Sequence, residues 1–393
     1  MVSLAPPPST STVAPPGRAV GPAPTTARLQ PRRDVFVDAV RAIGTTCVVV
    51  LHWLMAEAAW DGRTLQVGNA LGHGWAWVLT WVGQALPLLF FAAGAAAAYE
   101  RAAGVPGVAP RWPVVVGRRV RAVVRPVAAF AVAWAVAVGA LLAAGVPHDA
   151  VLRLARMAPQ LLWFLGLWVV LLAVVPMLQA AWRRWRWRAL AVAVALPLGV
   201  DLLRFTAGAD RLAWANLLLV WTVPFLAGIA YATDRAARRP AAGGGRAVLA
   251  LGVLAGLAAM VLLVLLGPYP PSMVGMPGDA ISNLGPPTAP VVAQAVAQVC
   301  AVVLLRPVLV RWARSARGGA VVRGLARRAM TVYLWHLTAM FTVVGVVLVG
   351  MGHRLPEPWS ADWWASLPTW FAAYGLVLVG LVALFGRFER HRT

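Results

Sequence analysis

Apolar runs of about twenty residues, separated by short polar clusters, organise most of this chain. A helix needs about 20 residues to cross the hydrocarbon core of a bilayer. Ten runs reach that length, near 36–58, 74–99, 114–144, 159–181, 188–204, 213–233, 246–267, 288–310, 327–350 and 365–386. The fifth is the shortest. The pattern predicts an all-α integral membrane protein with about ten transmembrane helices. No internal repeat is visible, which disfavours the inverted-repeat transporter folds.

Composition supports this reading. Of 393 residues, 61% are hydrophobic, against about 45–50% in soluble domains. All 35 basic residues are arginine, so the cationic charge cannot be switched off by pH. A net charge of +22 would suit nucleic acid, but the arginines fall in clusters between apolar runs, where the positive-inside bias explains them better. With the N-terminus inside, the inner segments hold 28 arginines and the outer segments 6, with Arg41 inside a span. Both termini are therefore expected in the cytoplasm. Residues 1–33, rich in Pro, Ala, Ser and Thr, lack the apolar core of a signal peptide and are expected to form a disordered cytoplasmic tail. Residues 34–386 form the ten-helix domain, and 387–393 a short basic cytoplasmic tail. Cys47 and Cys300 both lie in apolar runs, and their spacing implies neither a disulfide framework nor a metal site.

Within the first span, His52 follows Arg41 by eleven positions, about three helical turns. The two side chains share a face, about 16 Å apart along the axis. An ionisable residue inside a span is costly and marks a functional site by default. The competing reading of His52 is a packing residue that hydrogen-bonds a neighbouring span; Arg41 at matched register weighs against it. Asp38 can pair with Arg41 from three residues back. Glu57 falls on another face and reads as interfacial. Arg118, Arg119, Arg121 and Arg125 crowd the inner end of the third span. Such a cluster repels itself unless an anion sits within it. It fits phosphate groups and equally fits anionic lipid heads. Tyr333 and His336 share a face of the ninth span, where a structural histidine competes with a catalytic one. The outer segment 267–290 is long, rich in proline and free of basic residues; Asp279 and Asn283 there can hydrogen-bond a hydroxylated ligand.

Taken together, these motifs resemble membrane acyltransferase family 3, the bacterial O-acyltransferases of cell-surface glycans, antibiotics and lipids. Arg41 and His52 are similar to the family's first-span Arg-x10-His pattern. Gln84-Ala-Leu-Pro-Leu-Leu-Phe-Phe-Ala-Ala-Gly94 resembles its second-span pattern, Arg118-Arg-Val-Arg121 its Arg-x-x-Arg motif, and Leu162-Trp163-Phe-Leu-Gly166 its fourth-span stretch. Tyr333-Leu-Trp-His336 resembles its Tyr-x-x-His, and the stretch from Ser272 to Asn283 looks like actinobacterial members. Ala93 stands where serine is common, and Trp221 lacks a following His-Gln pair.

The resemblance implies a multi-pass protein of the bacterial cytoplasmic membrane, acting in polysaccharide or cell-envelope modification. It would take an acyl-CoA donor, acetyl-CoA foremost, with a glycan, lipid or small-molecule hydroxyl as acceptor and no metal. His52, with Arg41 and Asp38, would be catalytic. Arg118, Arg119, Arg121 and Arg125 would hold the donor. Trp163, Asp279, Asn283, Tyr333 and His336 would meet substrate. The alternative from another class is a transporter or flippase for a lipid-linked sugar, using Arg41 and His52 as a substrate or proton path. The scarcity of mid-membrane carboxylates disfavours a proton-coupled carrier.

Overall fold

The computed structural model describes residues 34–103, 111–236 and 245–389. The expected tail at 1–33 lies outside the described residues, as do the last residues of the expected tail at 387–393. Helix α1 (Val35–Leu54) starts where Asp34, in an extended conformation, accepts the Phe36 N–H at 3.0 Å. This caps one of the N–H groups that a helix start leaves without a partner. The helix stops at Leu54, short of the expected 58. Strands β1 (Ala58–Trp60) and β2 (Leu65–Val67) follow as an antiparallel hairpin pairing Ala58 with Val67 and Trp60 with Leu65. The hairpin turn is set by Asp61, whose carboxylate accepts the Arg63 and Thr64 N–H groups at 2.9 and 2.6 Å. The short polar stretch from 61 to 64 cannot stay in lipid, and local hydrogen bonds take over.

The second predicted span is two helices, α2 (Val78–Gly83) and α3 (Leu86–Ala102), broken at Gln84 and Ala85. Pro87 sits in the first turn of α3, where its missing N–H costs nothing. The broken end leaves carbonyls without partners in a membrane, which is expensive. Two glutamines of α11 (Ala289–Leu304) satisfy them. Gln294 donates to Thr80 and Trp81, and Gln298 to Gln84 at 3.0 Å.

Helix α4 (Trp112–Ala143) is a long continuous span. The fourth predicted span, 159–181, is divided differently. Helix α5 (His148–Met157) and a 3-10 turn lead into α6 (Leu162–Ala173), and α7 (Val175–Trp185) starts anew after Val174, with Pro176 in its first turn. Helices α8 (Trp187–Ala207), α9 (Asn216–Ala236) and α10 (Arg246–Leu266) match the next three expected spans. The eighth is bent by 60° between α11 and α12 (Arg306–Arg314). Helix α13 (Ala316–Gly345) kinks at Arg328, and α14 (Ala361–Phe385) closes the bundle.

Among the described residues, nine helices are long and apolar enough to cross a membrane, or ten with the bent pair taken as one span. The hairpin is the only sheet among them. The protein is thus an all-α integral membrane protein. Its centre is the α3–α9 pair. A Cβ at Gly94 would overlap the Phe225 carbonyl, and one at Gly228 the Phe91 carbonyl, so these backbones touch where only glycine fits. Helix α1 lies against α3 and α13. The apolar windows of α4 and α10 are only 11% buried, against 61% for the second span, so α4 and α10 face lipid.

Candidate active site

His52 sits in the last turn of α1, on the side facing α13. There His336, fully buried, meets it: His52 Nδ1 and His336 Nε2 are 3.0 Å apart, with ring centroids at 5.0 Å. His336 Nδ1 lies 2.7 Å from the Tyr333 carbonyl of its own helix. That carbonyl can only accept, so His336 carries its proton on Nδ1. In the neutral ring Nε2 is then an acceptor. His52 must donate through Nδ1, which leaves the lone pair on His52 Nε2 free of the pair. The two helices are held in register by Trp53, whose indole N–H donates to the His336 carbonyl at 3.1 Å. Tyr333 donates its hydroxyl to the Leu161 carbonyl at 2.8 Å, tying α13 to the start of α6.

Aromatic rings continue from this pair along the bundle. Tyr333 lies 5.4 Å from Phe164, Phe164 4.8 Å from Phe90, and Phe90 stacks on Trp221 at 5.0 Å. Trp163 joins the wall at 6.1 Å from Trp221. Tyr333, His336 and Trp163 thus belong to one contiguous set with His52. Arg41 shares the His52 face of α1 nearer its start, 3.6 Å from Asp38.

The arginine cluster stands apart, at the end of the bundle where α1 begins. Arg118 and Arg119 pair with Glu100 at the end of α3, at 2.6 and 2.8 Å. The anion within the cluster is therefore in part the protein's own. Arg121 donates to the Gly117 carbonyl at 3.3 Å, and Arg125 is exposed.

The 267–290 segment is a folded cover over α2. Trp81 donates to the Pro271 carbonyl at 2.7 Å, Met273 N–H to Thr80 Oγ1 at 2.9 Å, and Met276 packs on Leu51, Leu71 and Ala76 near the C-terminal end of α1. Asn283 does not offer a ligand the donors that its sequence position suggests. Both amide hydrogens go to the Pro270 and Ser272 carbonyls at 2.7 Å, and its oxygen accepts from Thr288 at 2.6 Å. A 0% exposed amide must find partners, and here it finds them inside the loop. Asp279 is exposed and accepts the Met276 N–H at 3.3 Å. Glu57 pairs with His73 at 3.0 Å outside the bundle.

One network goes unread in the sequence. Asp34 accepts from Tyr99 and Tyr231 hydroxyls at 2.8 and 3.1 Å and pairs with Arg235 at 3.3 Å, while Arg306 donates to Tyr231 at 3.0 Å. It locks the start of α1 to α3, α9 and α12. An aspartate just before an apolar run signals a helix cap; partners 65 to 201 positions away do not announce themselves. Among the described residues no group of three His, Cys, Asp or Glu side chains is placed to hold a metal ion.

The model of one protein family, an acyltransferase domain of the membrane acyltransferase 3 type, matches residues 34–386. None of the curated proteins and none of the solved structures matches the chain. The match spans the whole helical bundle from the Asp34 cap to the end of α14, including the histidine pair: the chain belongs to membrane acyltransferase family 3, and it is a multi-pass membrane acyltransferase.

Proposed function

We propose that the protein transfers an acyl group, acetyl foremost, from cytoplasmic acyl-CoA to a hydroxyl of a glycan, lipid or metabolite, with His52 Nε2 as the reacting base. The observation that carries this is the 3.0 Å contact from His52 Nδ1 to His336 Nε2, with His336 Nδ1 on the Tyr333 carbonyl. It leaves one oriented, unprotonated nitrogen on the helix face that also bears Arg41. His336 is a positioning residue in this scheme: it fixes the tautomer and angle of His52.

The acceptor O–H gives its proton to His52 Nε2 as its oxygen attacks the thioester carbonyl. The C–S bond then breaks, and the CoA thiolate takes up the proton. General-base help of this kind contributes about 10²–10⁴-fold. The same lone pair serves a two-step route, in which Nε2 attacks the thioester and an acyl-imidazole passes the group on. Rapid quench with labelled acyl-CoA and no acceptor separates the two: label stays on His52 only in the two-step route.

Arg41, Arg118, Arg119, Arg121 and Arg125 lie at the α1 start of the bundle, and guanidinium forks suit the phosphates of CoA. The distance from Arg41 to His52, about 16 Å along the axis, is within reach of a pantetheine arm. The rings of Trp163, Phe164, Phe90 and Trp221 form an aromatic wall continuous with the histidine pair through Tyr333. The folded 267–290 segment, with Asp279 on its surface, would bound acceptor entry at the other end. The 28-to-6 arginine asymmetry supports the α1 start as the cytoplasmic side of a bacterial plasma membrane.

Purified protein in sealed vesicles of known orientation tests this. Acyl-CoA is expected to support transfer only from the face bearing Arg118, with acylated product on the other. No acyl-CoA turnover from either face would overturn the donor assignment; transfer with both substrates on one face would overturn the arrangement.

A further inference from the structure

At the α1-start end of the bundle, away from the histidine pair, a cleft of about 550 Å³ opens between α10 and the α11–α12 bend. It is lined by Arg246, Leu304, Leu305, Pro307, Val308 and Arg311. Two arginines thus border a cleft whose other lining residues are all apolar. Among the described residues neither arginine has a carboxylate within ion-pair distance. This differs from Arg118 and Arg119, which both pair with Glu100.

The surroundings are those of a membrane interface. Helix α12, set at 60° to α11, carries Arg306, Arg311 and Arg314 among Val308, Val310 and Trp312. A short amphipathic helix of this kind suits the interfacial plane. On α10, Val248, Leu251 and Leu254 are 53–64% exposed beyond Arg246, and hydrocarbon is the medium that covers them. A ligand for this cleft therefore needs an anionic head for two planar forks and an apolar chain for the wall below.

We propose that the cleft binds one anionic phospholipid, its phosphate between Arg246 and Arg311 and a chain against Leu305 and Val308. Guanidinium forks bind phosphate oxygens in pairs, which a zwitterionic head with its own cation meets less well. The site also adjoins the base of α1. Leu305 lies in the cleft wall, and the next residue, Arg306, donates to Tyr231, which donates to the Asp34 cap. A bound lipid braces the bend from which that network is held.

Native mass spectrometry of the full-length protein, released from nanodiscs of phosphatidylglycerol mixed with phosphatidylcholine, reads the site directly. The expected result is one phosphatidylglycerol retained per chain in preference to phosphatidylcholine. In the Arg246→Gln/Arg311→Gln variant retention should fall about tenfold or more, since charge-assisted bonds are the strong ones. Arg317→Gln, on the exposed start of α13, should leave it unchanged. Equal retention of the two lipids by the unaltered protein would overturn the proposal without recourse to any variant. So would loss of the bound lipid on adding CoA or inorganic phosphate, which would give the cleft to a soluble phosphate. None of these readouts depends on acyl transfer, so the inference and the proposed function fail separately.

Discussion

His52 and His336 meet at 3.0 Å near the C-terminal end of α1; both nitrogens of His336 and one of His52 are committed to named partners. At the opposite end, Arg118, Arg119 and Arg121 lie exposed on α4 and bond whatever is near: Glu100 or their own helix. The contrast is one of replaceability. His336 is fully buried and has no water to fall back on, so its geometry is dictated by its neighbours, and it in turn holds the partly buried His52. An exposed arginine exchanges partners at little cost, because surface pairs contribute only about 0–1 kcal/mol. Single changes should therefore be severe at the histidine pair and graded at the arginines.

The largest effect is expected from His52→Ala. It should lower acyl transfer by about 10²-fold or more while leaving expression and thermal stability near those of the unaltered protein; retention of more than a few per cent of activity would remove His52 from the reacting role. His336→Ala should act through kcat, by roughly 10–100-fold, because the lost partner supports a group that remains present. A change confined to KM would contradict a positioning role. Neutralising Arg118 or Arg121 singly should weaken donor binding about 10-fold, increasingly so at low salt, as measured by titration of acyl-CoA. Unchanged donor affinity in both would return those residues to topology and lipid contact. The smallest effect belongs to Glu100→Gln. Stability should change by less than about 1 kcal/mol, and donor affinity should rise a few-fold as Arg118 and Arg119 lose their internal anion. A fall in affinity would instead make Glu100 part of the donor site's architecture.

The same contrast explains what was legible in the sequence. Span positions follow from apolar run length, which is a local property, and the observed helices fall where the runs do. The breaks were less visible. Pro87 and Pro176 mark helix starts, yet interrupting a span at Gln84 and Ala85 also required Gln294 and Gln298 from α11 to rescue the freed carbonyls. The shared face of Arg41 and His52 is a register within one helix and could be read directly. The pairing of His52 with His336 spans 284 positions and is set by tertiary packing, with Trp53 as its clamp. Asn283 shows the reverse error: a polar residue in an outer loop suggests a ligand, but burial turned its amide inward.

In the proposed reaction the two histidines act as one unit. The most direct measurement is a double-mutant cycle on acyl transfer with His52→Ala, His336→Ala and the double variant, under matched expression and folding. If His336 works only by orienting His52, the double variant loses no more than His52→Ala alone, and the cycle is strongly non-additive. Additive losses, or a double variant far worse than His52→Ala, would mean that His336 acts on substrate independently and that the histidine pair is not the reacting unit.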